Sequence, residues 1–144
     1  MQNYANSWQF WALLAAVFAA LTAIFAKIGV EGVNSSFATF LRTVVVVVAL
    51  GALIRFTGEY ESLSVLSTKT MVFLVLSGLA TGASWLCYFR ALQLGDAGQV
   101  APVDKLSVVF VAIIGALFLG EQLSMVAWGG VALIAGGAVM VAVG

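Results

Sequence analysis

Apolar residues in this chain come in long unbroken runs, not in the period-two alternation of strands or the one-sided stripes of soluble helices. Uncharged stretches extend from Trp8 to Ala26, from Ser35 to Ile54 with Arg42 as the interruption, and from Met71 to Phe89. Two more follow, Ala97 to Gly120, which carries Asp104 and Lys105 near its start, and Leu123 to Val143, which carries no charge. About 20 apolar residues in a helix cross the ~30 Å hydrocarbon layer, and each run is long enough. The pattern predicts an all-α membrane protein with five transmembrane helices, over about 8–27, 35–56, 70–93, 97–120 and 123–143 of a single 1–144 domain. The first run has no basic segment before it and no small-residue cleavage site, so it is expected to stay as helix 1 and not to be removed as a signal peptide.

The punctuation between runs is short: Gly29 to Asn34, Thr57 to Thr70, Gly95 with Asp96, and Glu121 with Gln122. Asp96 suits the N-cap of the fourth helix, with Gly95 just past the end of the third. Pro102 then falls inside the fourth helix. It takes the helical bond away from the carbonyl of Gly98, which predicts a kink there and an irregular helix start. Small residues recur at three- or four-residue spacing in helix 1 (Ala12, Ala16, Ala19, Ala20, Ala23, Ala26), helix 3 (Gly78, Gly82) and helix 4 (Ala112, Ala116, Gly120). In helix 5 they recur at seven, Gly129 with Gly136 and Gly130 with Gly137. Lipid gives helices little hydrophobic reason to associate, so such stripes are expected to supply close packing in a compact bundle.

Composition narrows the function. Of 144 residues 63% are apolar and 8% charged, against roughly a quarter charged in soluble domains, which rules out a water-soluble fold. Six Lys and Arg balance six Asp and Glu, with the basic residues scattered singly, so nucleic acid is excluded as a partner. There is no His, no Ser-His-Asp set, no Cys or His cluster for a metal and no glycine-rich phosphate loop, so neither an enzyme nor a cofactor is expected. The single Cys87 is expected to be a small buried apolar residue. What remains is movement of a small-molecule solute across the lipid bilayer, or a non-transporting scaffold.

Ionisable groups at bilayer depth cost ~2.5–3.5 kcal/mol on insertion scales and call for a partner or a wet cavity. Arg42 and Asp104 each lie about eight residues into helices that start on the same side, roughly 12 Å deep at the helical rise. Matching depth and opposite sign predict an Arg42–Asp104 pair, with Lys105 as a second cation; the alternative is that Arg42 and Lys105 snorkel to the headgroups. Lys27 and Arg90 are expected at the interface, and Glu121 in a turn. Trp85 and Tyr88 share a face of helix 3, and Trp85 is too deep to belong to an interfacial belt, so the two are candidates for the translocation path together with Arg42, Asp104 and Lys105. A scaffold has no reason to retain charges at that depth.

The segment YFRALQLGDAGQVAPVDKLSVVFVAIIGALFLGE, Tyr88 to Glu121, resembles the hallmark region of the EamA family of the drug/metabolite transporter superfamily. The stretch AKIGVEGVNSSFATFLRTVVVVV, from Ala26, is similar to that family's passage from helix 1 to helix 2 and includes Lys27 and Arg42. The resemblance implies a bacterial inner-membrane exporter of metabolites or amphipathic compounds. Typical members resemble two such five-helix units fused with the second inverted; this chain carries one repeat, so the resemblance implies a ten-helix inverted-repeat-like dimer. The related small multidrug resistance proteins carry an essential helix 1 carboxylate where this chain has Ala19, so their proton and cation exchange does not carry over.

Five helices put the two ends of the bundle on opposite sides. Near-surface Lys and Arg then number two on the face of the N-terminus, Arg55 and Lys69, and two on the other, Lys27 and Arg90. Orientation follows the asymmetry of such charges, so a balanced chain is expected to insert both ways and to form an antiparallel homodimer, unless a paralogue supplies the other half.

Overall fold

The structure is a computed structural model that describes residues 7–144. Its regular elements are α1 (Trp8–Gly29), α2 (Ser35–Thr57), a 3-10 turn (Leu63–Val65), α3 (Thr68–Leu94), α4 (Ala97–Asp104), α5 (Ser107–Phe118) and α6 (Met125–Val143), with no strand among the described residues. With α4 and α5 taken as one broken span, five segments among the described residues are long and apolar enough to cross a membrane. Each begins and ends within a few residues of the position read from the sequence.

The helix ends are set by local chemistry. Asn34 stands just before α2, where its side-chain oxygen accepts from the Ser36 and Phe37 N–H groups at 2.9 and 3.3 Å. Gly58 closes α2 in the left-handed conformation, φ 73°, which suits a residue without a Cβ, and its N–H returns to the Ile54 carbonyl. Ser124 caps α6 through Ala127 N–H. Asp96 occupies the N-cap of α4 as expected, but its side chain makes no capping bond; its carbonyl accepts from Gln99 and Val100.

The chain divides into two compact units. The first comprises α1 through Lys27 together with Leu94–Gly144. Within it α6 packs against both α4 and α5. Ala23 and Ala26, from the small-residue stripe of α1, are buried, as is Ala138 of α6, whereas Ala12, Ala16, Ala19 and Ala20 are exposed. A Cβ built on Gly129, Gly130, Gly136 or Gly137 would meet nothing within 4 Å, so the approach of α6 to its neighbours in the protomer does not run through these glycines.

The second unit, Ile28–Gln93, holds α2 and most of α3. On α2 the covered positions are Ser35, Ala38, Thr39, Arg42, Thr43 and Val46, a single helical face. On α3 they include Gly82, Trp85, Tyr88, Phe89 and Leu92, again at helical spacing. Cys87 is exposed on α3, contrary to the buried role expected for it. In a helix that is apolar all round, lipid and protein are equally acceptable surroundings, so an apolar neighbourhood in sequence does not reveal which way a thiol faces. The same holds for the many exposed aliphatic and aromatic side chains, Phe56 and Val126 among them, which suit either an apolar medium or a protein neighbour.

Candidate functional site

The α2–α3 unit contains the most distinctive geometry. Arg42 projects from the covered face of α2, and its guanidinium carbon sits 4.2 Å from the centroid of the Trp85 ring and 5.5 Å from that of Phe89. Trp85 and Phe89 are one turn apart on α3, so their rings present a continuous aromatic surface to the cation. Tyr88, half-buried beside them, is near enough to interact electrostatically with Arg42. Trp85 and Tyr88 therefore share the face expected of them, and the cation that Trp85 meets is the protein's own. Phe89 was not singled out in the sequence, although its spacing of four from Trp85 would have placed it on that face.

Thr39 and Thr43 flank Arg42, and both hydroxyls are committed to the helix itself, donating at 2.8 Å to the carbonyls of Ser35 and Thr39. Such back-bonding satisfies a hydroxyl in an apolar medium without any partner helix. One end of the unit is tied by polar side chains. Gln93 donates through Nε2 to the carbonyl of Val33 at 2.6 Å and accepts from the Arg90 guanidinium at 3.2 Å. The Val30–Val33 turn it holds carries Gly32 at φ 73°, and Val33 N–H returns to Val30 at 3.4 Å. Gln93 escaped the sequence reading because a lone amide near a helix end carries no pattern.

The other predicted charges belong to the first unit. Asp104 ends α4 and Lys105 follows it, and the two form an ion pair at 3.1 Å. Adjacent residues point about 100° apart on a regular helix, so this pair belongs to a place where the helix stops. The stop lies one turn after Pro102. Beyond it Lys105, Leu106, Val108 and Val109 donate to carbonyls three residues back, at 3.0–3.1 Å, the tighter 3-10 pattern. The predicted irregularity is therefore a break between α4 and α5 at residues 105–106. The expected Arg42–Asp104 pair was motivated by two charges in need of partners. Within its own unit Arg42 meets an aromatic face and Asp104 meets Lys105.

Two further contacts organise the first unit. Lys27, in the last turn of α1, donates through Nζ to the carbonyl of Gly95 at 2.9 Å. Gly115 of α5 is buried under the Glu121 side chain: a Cβ there would stand 2.6 Å from Glu121 Oε2. The intervening turn uses Gly120 at φ 69°, and both Leu119 and Glu121 N–H groups return to the Gly115 carbonyl at 3.1 Å. Glu121 itself is exposed and sits in a turn.

Residues 6–143 match the model of the EamA-like transporter family. The chain belongs to that family. A Sinorhizobium protein named "Uncharacterized transporter in cobO 3'region" is 61% identical over 138 residues, 96% of this chain and 98% of the relative. No solved structure matches significantly. Family membership and five apolar spans together make the chain a multi-pass membrane transporter in general terms, and they fit the EamA resemblance seen in the Tyr88–Glu121 segment.

Proposed function

We propose that this EamA-family chain exports small metabolites or amphipathic compounds by alternating access, as an antiparallel homodimer in the bacterial inner membrane. One five-helix repeat pairs with an inverted copy, giving the ten-helix arrangement that a fused transporter would carry in a single chain. Trp85, Tyr88 and Arg42 line the translocation path, Asp104 and Lys105 supply charge at the α4–α5 break, and Pro102 makes that break a place where the helix bends. Gly129, Gly130, Gly136 and Gly137 pack helices between copies, a role supported by the open space around each of them inside the protomer.

The observation that carries the reading is the Arg42 guanidinium held over Trp85 about a third of the way along α2. An ionisable group inside a membrane span is costly and has a use where a solute passes. Balanced near-surface charge supports the antiparallel assembly. The test is a flux screen in proteoliposomes across amino acids, carboxylates, quaternary amines and guanidinium compounds, with and without a pH gradient. Uptake or release of at least one class that is lost in Trp85→Ala is expected. Absence of flux for every class, with crosslinking to other membrane proteins in cells, would favour a scaffold.

A further inference from the structure

We propose that Arg42 is an oxyanion-binding group, and that the solute it takes is a small organic carboxylate with an apolar body. The inference rests on the transport reading above and names the substrate class.

Three observations carry it. First, Trp85 holds the guanidinium through the ring face, which engages the cation but accepts none of its in-plane N–H bonds. Among the described residues of the 28–93 unit, no hydrogen bond or ion pair takes up those donors, and Arg42 is only half-buried. Five donors in a rigid fork, at membrane depth, match the two oxygens of a carboxylate. Second, the unit's own carboxylates, Glu31, Glu59 and Glu61, all lie in loops outside α2 and α3, so the positive charge inside the helix pair has no counter-charge there. Third, the neighbouring Thr39 and Thr43 hydroxyls spend their protons on backbone carbonyls, which leaves Arg42 as the donor on that stretch of α2. Trp85 on α3 and Val46, one turn beyond Arg42 on the same face of α2, are only half-buried, so the surface beside the guanidinium is apolar and reachable. An oxyanion on an apolar body fits donors beside an aromatic and aliphatic wall. A cationic solute does not, because the Trp85 face is occupied and Arg42 repels it.

The same oxyanion chemistry is offered by a lipid phosphate, so the experiment separates the two sources. The full chain, labelled with 5-fluorotryptophan in dodecyl maltoside micelles, which contain no phosphate, is titrated with benzoate, its neutral isostere benzamide, and benzylammonium. Fluorine NMR follows Trp85, assigned by the line missing in Trp85→Phe. Benzoate is expected to shift the Trp85 line saturably, with a midpoint about tenfold or more below that of benzamide, and benzylammonium to leave it unmoved. Arg42→Gln should abolish the saturable shift. Arg42→Lys, which keeps the charge but loses the fork, should raise the midpoint about tenfold and keeps the test decisive if the Gln variant does not fold.

Equal responses to benzoate and benzamide, or a benzoate response unchanged in both Arg42 variants, would overturn the proposal. Repeating the titration in phosphatidylcholine nanodiscs assigns the source: a retained shift supports a solute, whereas a shift seen only in maltoside assigns Arg42 to lipid phosphate and overturns the solute. Benzoate binding without flux of any solute in proteoliposomes would remove the transport reading and leave the anion site standing. Flux of quaternary amines without benzoate binding would do the reverse.

Discussion

Arg42 on α2 and Trp85 on α3 meet with the guanidinium carbon 4.2 Å from the ring centroid, joining two successive membrane spans through a cation and an aromatic face. A half-buried contact of this kind is worth about 1–2 kcal/mol. Trp85→Ala removes it and leaves the more distant Phe89 ring, at 5.5 Å, as the aromatic face on Arg42. Transport per inserted molecule is expected to fall severalfold or more while membrane protein level falls less, with Trp85→Phe retaining a large part of the activity. Flux normalised to reconstituted protein checks this. Unchanged flux in the Ala variant would remove Trp85 from the path.

Gln93 spends both ends of its amide, donating to the Val33 carbonyl at 2.6 Å and accepting from Arg90 at 3.2 Å. Its removal in Gln93→Ala leaves the Val30–Val33 turn without its anchor on α3, at a cost of about 1–2 kcal/mol. The expected result is a lower Tm in micelles and, with Cys87 replaced by Ser, faster maleimide labelling of a cysteine placed at the exposed Glu31. Labelling and Tm equal to those of the unmodified chain would show the contact to be idle.

Two glycines at the α5–α6 turn should respond differently to the same change. Gly120 has φ 69°, a region that costs an L side chain about 1–2 kcal/mol, so Gly120→Ala should lower Tm measurably. Gly115→Ala brings a Cβ to 2.6 Å from Glu121 Oε2, but that atom ends a flexible, exposed side chain that can swing into water. Its cost is expected below about 1 kcal/mol, since Ala also favours helix over Gly by about that amount. A larger loss at Gly115 than at Gly120 would mean that Glu121 is held in place.

The five spans were legible because length and apolarity alone decide whether a segment crosses a bilayer, and the caps at Asn34 and Gly58 follow from ordinary end chemistry. Pro102 announced the break in the fourth span, although the helix stops at Lys105, one turn later, where the 3-10 bonds begin. Side-chain direction was the part least legible. Spans apolar on every side carry no amphipathic signal, so Cys87 was expected inside and lies outside, and the α6 glycines gave no hint that they face open space within the protomer. The aromatic face beside Arg42 was hard to read for a related reason: opposite charge points to a carboxylate such as Asp104, whereas Trp85 one helix away also holds a guanidinium, and Phe89 completes that face.

Insertion in both orientations is the consequence of a balance that single substitutions can tip. Arg55 and Lys69 oppose Lys27 and Arg90 as near-surface cations, two against two. Lys27 has a second role, since its Nζ donates to the Gly95 carbonyl at 2.9 Å. Lys27→Met therefore changes two observables at once. It leaves two cations against one, so the N-terminus should be retained in the cytoplasm more often. It also removes a charge-assisted bond worth about 1.5–3 kcal/mol, so Tm should fall. Arg55→Gln shifts the charge count in the opposite direction without touching that bond, and should send the N-terminus outward with little change in Tm. Cysteine labelling at both ends of the chain, in cells without a paralogue, reads the orientations directly. Label reaching each end from both sides in the unmodified chain, and a shift of opposite sign in the two variants, is the expected outcome. A single fixed orientation that neither variant disturbs would exclude the antiparallel homodimer and leave a parallel assembly, or a second chain that supplies the inverted half.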